Sequence, residues 1–430
     1  MPSATNTLRR PRRNKDGNSK SKKQKLSEVK SKKETRTNSS SRTKLTKPTK
    51  SIKVRSKQID YSLCIPTSIL DNCRNLDQIT HVVYQIAKAA TLFNVAEIVV
   101  LDIPPLNKGS KESSPDSKTP IDTRGKKKQR LDDSFLISTL LQFFVTPPYL
   151  VRSVFKRQYH HYLKIAERLP RLSALPFIRY YNENNNRYRE GLAVRMSKPD
   201  QPNASTQTKS KKEFKQTKYI NIGKSEYLEL KAQLVPYNVR VTVDTVERRV
   251  VSPTEAYGDY VGAKSAYGYR VRIAHSFGDV FMESSFKDGY MQCLYVNSGD
   301  FYFDETLKKY RKLETGVPRV TQLVMPTPPP ESNHSGTVES TTATATSPAA
   351  AAPILLVFGK WDHLKRSFEK SREQFEGCDG PHQLFDGQLE LPGAVPQGNV
   401  PIEDACMIGL SLMDSLKPAS AIATEHPTTL

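Results

Sequence analysis

The chain has 430 residues and a formal net charge of +22, a length that allows two or three domains. Its five cysteines (Cys64, Cys73, Cys293, Cys378 and Cys406) are odd in number and no pair has metal-ligand spacing, which excludes a disulfide framework and predicts reduced thiols without a metal site. No apolar run approaches the roughly 18 residues of a membrane-spanning helix, so we expect a soluble chain with no membrane partner.

The positive charge is concentrated in an N-terminal tail, residues 1–57. This tail holds 20 lysines and arginines against three acidic residues, so it carries +17 of the +22. Because it has few apolar residues to offset the entropy cost of folding, we predict that it is disordered. Basic clusters suit RNA phosphates and equally suit nuclear or nucleolar import, and both interpretations stay open. The residues expected to bind RNA here are Arg9, Arg10, Arg12, Arg13, Lys22 and Lys23.

Residues 58–186 are predicted to form the first part of an α/β domain. A strand at 61–66, a helical apolar stripe at about 75–93 and a continuous apolar strand at 97–102 give the strand-helix-strand order of a parallel sheet. The polar segment of about 105–130 is predicted to be a disordered insertion. Helical patterns return at about 132–145 and 149–157, whereas 160–178 fits no single structure.

Residues 187–288 change to short runs rich in valine, threonine and arginine, which favours a small inserted β-barrel. The aromatic and basic residues Tyr269, Arg270 and Arg272 of one such run fit a stacking surface for single-stranded RNA. They equally fit an ordinary strand with one core face and one solvated face. The sequence does not separate these two interpretations.

Residues 289–416 are predicted to complete the α/β domain, with a low-complexity linker at 326–352 and a tail at 417–430. An apolar strand at 354–359, a loop dense in glycine and proline at 389–399 and a final helix follow one another. This succession suits a small-molecule site built from backbone groups, although an ordinary strand-loop-helix corner has the same pattern. Glu403 and Asp404 are interpreted as stabilising the helix dipole rather than as general bases.

Several short motifs occur in the order found in a known enzyme family. They are PTSILDN at 66–72, EIVVLD at 97–102, YREG at 188–191, FKDGY at 286–290, VFG at 357–359, LFD at 384–386 and EDA at 403–405. On these motifs, residues from about 58 to 416 resemble the archaeal and eukaryotic branch of the SPOUT RNA methyltransferases, which carries an OB-like insertion.

The resemblance implies a trefoil-knotted α/β domain of SPOUT type, split by an OB-like barrel. It also implies a dimer, either a homodimer or a heterodimer with a paralogue, and S-adenosylmethionine bound largely by backbone groups of the knot loops. No catalytic residue is carried over. The cofactor-binding residues that it implies are Val357, Phe358, Gly359, Phe385, Glu390, Leu391, Gly393, Gln397, Gly398, Asn399 and Ile402.

Departures from the family pattern leave more than one function open. The turn at 296–300 lacks the family's arginine, and Glu390 and Leu391 occupy the place of an Asn-Thr pair. The leading hypothesis is an S-adenosylmethionine-dependent methyltransferase that acts on pre-ribosomal RNA in the nucleus, within the nucleolus. The alternative is a degenerate RNA-binding subunit or assembly factor that pairs with an active paralogue. A third hypothesis is a general nucleic-acid-binding protein that uses only its tail and barrel.

Overall fold

The structure is a computed structural model, and it describes residues 59–103, 131–175, 177, 187–195, 215–257, 268–323, 351–392 and 400–416. The predicted tails, the insertion at 105–130 and nearly all of the 326–352 linker lie outside the described residues. The strands are β1 (Ile59–Pro66), β2 (Glu97–Leu101), β3 (Tyr188–Ala193), β4 (Gln216–Thr217), β5 (Tyr219–Asn221), β6 (Leu228–Glu229), β7 (Val235–Pro236), β8 (Arg240–Asp244), β9 (Arg249–Val251), β10 (Arg270–Ala274), β11 (Gln292–Asn297), β12 (Phe301–Asp304), β13 (Lys309–Lys312), β14 (Ala352–Val357) and β15 (Gly387–Glu390).

The structure gives the following bounds for the α-helices. They are α1 (Leu76–Leu92), α2 (Asp133–Phe144), α3 (Val151–Val154), α4 (His160–Leu163), α5 (Pro253–Tyr257), α6 (Phe277–Met282), α7 (Trp361–Lys370) and α8 (Ile402–Ser415). The long helix α1 begins where the side chain of Asn75 accepts a hydrogen bond from the Gln78 N–H at 2.9 Å. In the part of the chain that the structure describes, no helix is both long and apolar enough to cross a membrane.

A six-stranded parallel sheet organises the fold, in the order β10-β2-β1-β14-β11-β15. Its central strands β1, β2 and β14 are apolar and almost wholly buried, as strands covered on both faces must be. Leu63, Ile98 and Leu356 belong to the core on one face, and Val99 and Leu355 to the core on the other. The predicted mixed α/β fold with a parallel central sheet is confirmed.

The predicted insertion at 187–288 is wrong at its C-terminal end. Strand β10 pairs in parallel with β2, with Arg270 opposite Glu97 and Arg272 opposite Val99. Helix α6 follows β10 and begins with a capping box between Ser276 and Asp279. Residues from 268 onward therefore belong to the α/β domain rather than to the insertion, because β10 pairs with β2.

The residues between the two halves of the α/β domain form an antiparallel sheet in the order β6-β5-β3-β8-β9. Ile220, Ile222 and Val243 lie in its small core. The two outer strands approach each other at one end, where the Lys231 N–H donates to the Arg248 carbonyl at 3.1 Å.

Candidate functional site

A cavity of about 630 Å³ lies at the carboxyl ends of β1, β11 and β14, within the usual size range of small-molecule sites. Parallel strands bring their carboxyl ends to one edge of the sheet, so loops that are distant in sequence meet there. The lining comes from the turn after β1, the start of α1, the turn after β11, the turn that leads into α7 and the segment that leads into α8. Its residues are Ser68, Ile69, Asp71, Asn72, Cys73, Gln78, Val82, Ser298, Gly359, Lys360, His363, Val400, Pro401, Ile402 and Glu403.

Gly359 forms the turn between β14 and α7. Its φ of +132° is a conformation that side chains rarely adopt, and a Cβ at this position would lie 3.2 Å from Cγ of Pro66. The Gly359 carbonyl accepts a hydrogen bond from the Tyr295 hydroxyl at 3.2 Å. The turn therefore requires a glycine, both for its φ angle and for its close approach to Pro66. In this conformation the turn borders the cavity and is hydrogen-bonded to Tyr295 of β11.

Asp300 connects the turn after β11 to helix α7. Its Oδ2 accepts the Trp361 N–H at 2.7 Å and the Tyr295 hydroxyl at 3.3 Å, and the residue is only 8% exposed. The positive end of the α7 dipole stabilises this buried carboxylate. Burial, and after it Asp300, raise the pKa of Tyr295, so its hydroxyl remains a donor. The two turns are thus held in fixed relation beside the cavity.

The cavity wall carries several kinds of polar group. Asp71 and Glu403 supply carboxylates, Asn72 and Gln78 supply amides, and Lys360 supplies a positive charge. Among the described residues, no group of three or more His, Cys, Asp or Glu side chains is arranged to hold a metal ion. The wall therefore suits an organic ligand that has both charged and hydrogen-bonding parts.

Two titratable side chains of the wall are uncharged near neutral pH. Burial lowers the pKa of His363, and the positive charges of Arg366 and Lys360 lower it further. Its Nδ1 is buried without a hydrogen-bond partner among the described residues. Burial, and after it the charge of Glu403, raise the pKa of Cys73, so this cysteine is a thiol rather than a thiolate.

Ten of the eleven predicted cofactor-binding residues divide into three groups. Gly359 and Ile402 line the cavity. Four others have side chains buried in the hydrophobic cores, and their role through backbone groups stays a prediction: Val357, Phe358, Phe385 and Leu391. The remaining loop residues lie outside the described part of the chain: Gly393, Gln397, Gly398 and Asn399.

Glu390 ends β15 and forms ion pairs rather than facing the cavity. Its carboxylate is paired with Lys312 and lies 3.6 Å from Nη1 of Arg319. Basic residues that are distant in sequence therefore neutralise the charge that replaces the family's asparagine. The pairing could not be found from the local pattern alone.

The predicted RNA-stacking surface on β10 is wrong for two of its three residues. Tyr269 is 3% exposed and donates its hydroxyl to the Leu141 carbonyl at 2.9 Å. Arg272 is bonded inside the sheet to Glu97, and only Arg270 is exposed. The basic residues of the tail, from Arg9 to Lys23, lie outside the described residues.

The sequence interpretation missed most of the cavity wall. Ser68, Asp71 and Asn72 lie in the 66–72 motif, which carried part of the family resemblance but was assigned no role. Glu403 was assigned to the helix dipole, and it does lie in the first turn of α8 while it also lines the cavity. The signal that could have found these residues is the position of each motif directly after a predicted strand.

Comparisons with known proteins agree on one family. The sequence profile of a family described as "Putative RNA methyltransferase" matches residues 60–413. The chain is 42% identical over 356 residues to the Saccharomyces cerevisiae protein "Putative methyltransferase YMR310C", covering 83% of this chain and 94% of that protein. It is 38% identical over 371 residues to a second S. cerevisiae protein, "Putative methyltransferase YGR283C", covering 86% of this chain and 92% of that protein. The Homo sapiens "28S rRNA (uridine-N(3))-methyltransferase" is 28% identical over 246 residues, covering 55% of this chain and 57% of that protein.

Proposed function

This chain belongs to the SPOUT family of RNA methyltransferases, whose profile matches residues 60–413, and we propose that it transfers a methyl group from S-adenosylmethionine to ribosomal RNA during ribosome assembly. The single observation that carries the proposal is the cavity where the loops after β1, β11 and β14 meet. The activity for which the human relative is named supports uridine N3 of the large-subunit RNA as the target atom. The basic tail supports a nuclear, nucleolar location.

The cavity wall fits the chemical groups of S-adenosylmethionine. Asp71 and Glu403 complement its ammonium and sulfonium charges, and Lys360 complements its carboxylate. Asn72 and Gln78 offer amides to its ribose and adenine. Gly359 has no side chain, and it lines the cavity.

The bound cofactor supplies an electrophilic methyl group, so the protein must orient the target base and remove its proton. His363 is the one histidine of the described cavity wall, and it is the lining side chain best suited to take that proton because its ring is neutral near pH 7. The buried Asp300 holds the adjoining turn, which keeps Ser298 and Gly359 in place.

The family fold supports a knot and an OB-like barrel as the finer architecture of this chain. Described residues on either side of 393–399 bond to the turn at the carboxyl end of β11: the Leu391 N–H donates to the Asn297 carbonyl and the Val400 N–H donates to the Ser298 carbonyl. The approach of β6 and β9 at one end supports a barrel-like closure of the antiparallel sheet. Dimerisation, either with a second copy or with a paralogue, is part of the same proposal.

Calorimetric titration of the full chain with S-adenosylmethionine tests the cofactor, and transfer of a labelled methyl group to large-subunit RNA tests the reaction. We expect binding and transfer by the unmodified protein. His363→Gln should lower kcat by about 10²-fold or more while cofactor affinity stays unchanged. The exposed neighbour Lys365→Gln is the matched control on the same helix. Absence of binding and of transfer in the unmodified chain would exclude an autonomous enzyme.

A second candidate function is an RNA-binding subunit that requires an active paralogue. Two features favour it. Lys360 is the one Lys or Arg in the described wall of the cavity, and a single organism, S. cerevisiae, holds two proteins similar to this chain. Titrations of each S. cerevisiae relative alone and of the two mixed together separate the hypotheses. Cofactor binding that occurs only in the mixture would identify a heterodimeric enzyme.

A further inference from the structure

A two-stranded hairpin stands directly beside the proposed site. It consists of β12 and β13, residues 301–312, and follows the turn after β11. Its base is closed by the Leu313 N–H, which donates to the Asp300 carbonyl at 2.8 Å. The Asp300 side chain binds the start of α7, and Lys312 at the end of β13 is paired with Glu390 at the end of β15. The hairpin is therefore fixed at the same edge of the sheet as the cavity.

One face of this hairpin is aromatic and solvent-exposed. Cross-strand partners share a face, so Phe301, Phe303, Tyr310 and Lys312 lie together, and we call this set the Phe303 face. Phe303 is 47% exposed and Tyr310 is 48% exposed, although their rings pack edge to face with centroids 5.2 Å apart. The pair stabilises the hairpin and leaves aromatic surface open to a ligand.

The hairpin also carries a surplus of positive charge. Residues 301–312 contain four basic side chains, Lys308, Lys309, Arg311 and Lys312, against the two acids Asp304 and Glu305. Exposed rings interleaved with lysines are the combination that single-stranded nucleic acids recognise, since bases stack on the rings and phosphates bind the cations. A protein partner with an apolar surface would gain nothing from this charge.

We propose that the Phe303 face binds a single-stranded segment of the substrate RNA and holds it at the mouth of the cavity. The position of this RNA segment at the cavity rests on the proposed function, whereas RNA binding by the hairpin does not. The opposite face carries one exposed ring, Tyr302, rather than two, and its Arg311 lies 3.5 Å from Asp304. The proposal therefore assigns RNA contact to one face of the ribbon.

The test compares full-length variants by binding to a labelled single-stranded RNA oligonucleotide of mixed sequence. Phe303→Leu combined with Tyr310→Leu keeps apolar bulk but removes both ring faces, and we expect affinity to fall about tenfold or more. Phe303→Tyr keeps the ring and should bind as the unmodified chain does. Tyr302→Leu removes an exposed ring from the opposite face and is the matched control, expected to stay within about twofold. Unchanged thermal midpoints and cofactor titrations show that the variants are folded.

The outcomes separate this proposal from the proposed function. Methyl transfer by the unmodified chain, with unaltered RNA affinity in the Phe303→Leu, Tyr310→Leu variant, would overturn the hairpin assignment alone. An equal loss of affinity in Tyr302→Leu would overturn the choice of face. A change in oligomeric state without a change in RNA affinity would show that a second copy of the chain covers the face. If the double variant loses RNA affinity and the unmodified chain transfers no methyl group, RNA binding by the hairpin is supported. The proposed methyl transfer is then refuted.

Discussion

Arg272 donates its Nε–H to Oε1 of Glu97 at 3.0 Å, which joins β10 to β2 across 175 residues of sequence. Both side chains also have further hydrogen-bond partners. Arg272 also donates to the carbonyls of Asp279 and Val280 at 2.9 and 2.6 Å, and the Tyr290 hydroxyl donates to Glu97 at 2.7 Å. Glu97 is 1% exposed, so the pair is a buried, hydrogen-bonded ion pair that attaches the edge strand to the sheet.

Arg272→Met should lower the free energy of unfolding by about 3–5 kcal/mol, because it leaves the buried Glu97 carboxylate without its cation. Arg270→Met is the matched control on the same strand. Its side chain is exposed, so we expect a change within about 0.5 kcal/mol. Urea unfolding curves measure both values. Equal losses in the two variants would show that the ion pair does not stabilise β10.

The strand that carries Arg272 shows what a sequence pattern can and cannot determine. Alternation along 269–273 correctly predicted a strand, but period-two alternation does not identify the sheet that the strand joins. The partner of β10 is β2, about 170 residues earlier in the chain, and their pairing depends on tertiary structure. Continuous apolar runs are more informative, because only a sheet covered on both faces buries them. Hence β2 was predicted correctly as a strand of a parallel sheet, and β14 correctly as an apolar strand.

The candidate site was predictable only in part for a similar reason. Gly359 and Ile402 follow from the family motifs, and both line the cavity. Asp71 and His363 could not be joined to them from sequence, because the strand order that brings their loops together is not encoded locally. The exposed hairpin at 301–312 was likewise missed, since its short strands have no helical or buried pattern to distinguish them.

Asp300→Ala should weaken both stability and cofactor binding, because it removes the acceptor of the Trp361 N–H and of the Tyr295 hydroxyl. Because the network is buried, removal of this acceptor should lower the free energy of unfolding by about 1–3 kcal/mol. Asp362→Ala is the control, because this residue lies in the first turn of the same helix but is exposed. Thermal unfolding and calorimetry measure the two effects. An Asp300→Ala protein with the stability and affinity of the Asp362→Ala control would contradict the role assigned to Asp300.

Gly359→Ala should impair the cavity more than it impairs the rest of the fold. The alanine would be strained at a φ of +132°, and its Cβ would crowd Pro66, so the turn must shift beside the ligand site. Gly377→Ala is the matched control, since its φ is +81° and no atom lies within 4 Å of the added Cβ. Both variants should lose about 1–3 kcal/mol of stability through backbone strain. Only Gly359→Ala should also weaken S-adenosylmethionine binding, and parallel losses of affinity in both variants would argue against this location of the site.

Glu190 should make the stability of the chain depend on pH. Burial raises its pKa from 4.5 to about 7, against the opposing influence of Arg240. A carboxyl group with a raised pKa in the folded state gives stability that is fully present below the unfolded pKa. This contribution is therefore complete below pH 4.5 and is lost as pH rises through about 7. In Glu190→Gln this pH-dependent part of the free energy of unfolding should vanish. Urea unfolding across that pH range measures it. An unaltered pH profile would rule out Glu190 as its source.

Deletion of residues 1–57 should lower RNA affinity and flatten its dependence on salt, because these residues carry +17 of the net charge. Each phosphate neutralised on a single strand contributes about 0.7 to the slope of log affinity against log salt concentration, so a tail that binds several phosphates adds several such increments. Deletion of residues 417–430 is the control, since that segment contains one lysine and one glutamate. Filter binding over a range of salt concentrations gives both slopes. If the slope is the same with and without residues 1–57, the tail does not bind RNA, and nuclear or nucleolar import becomes its remaining role.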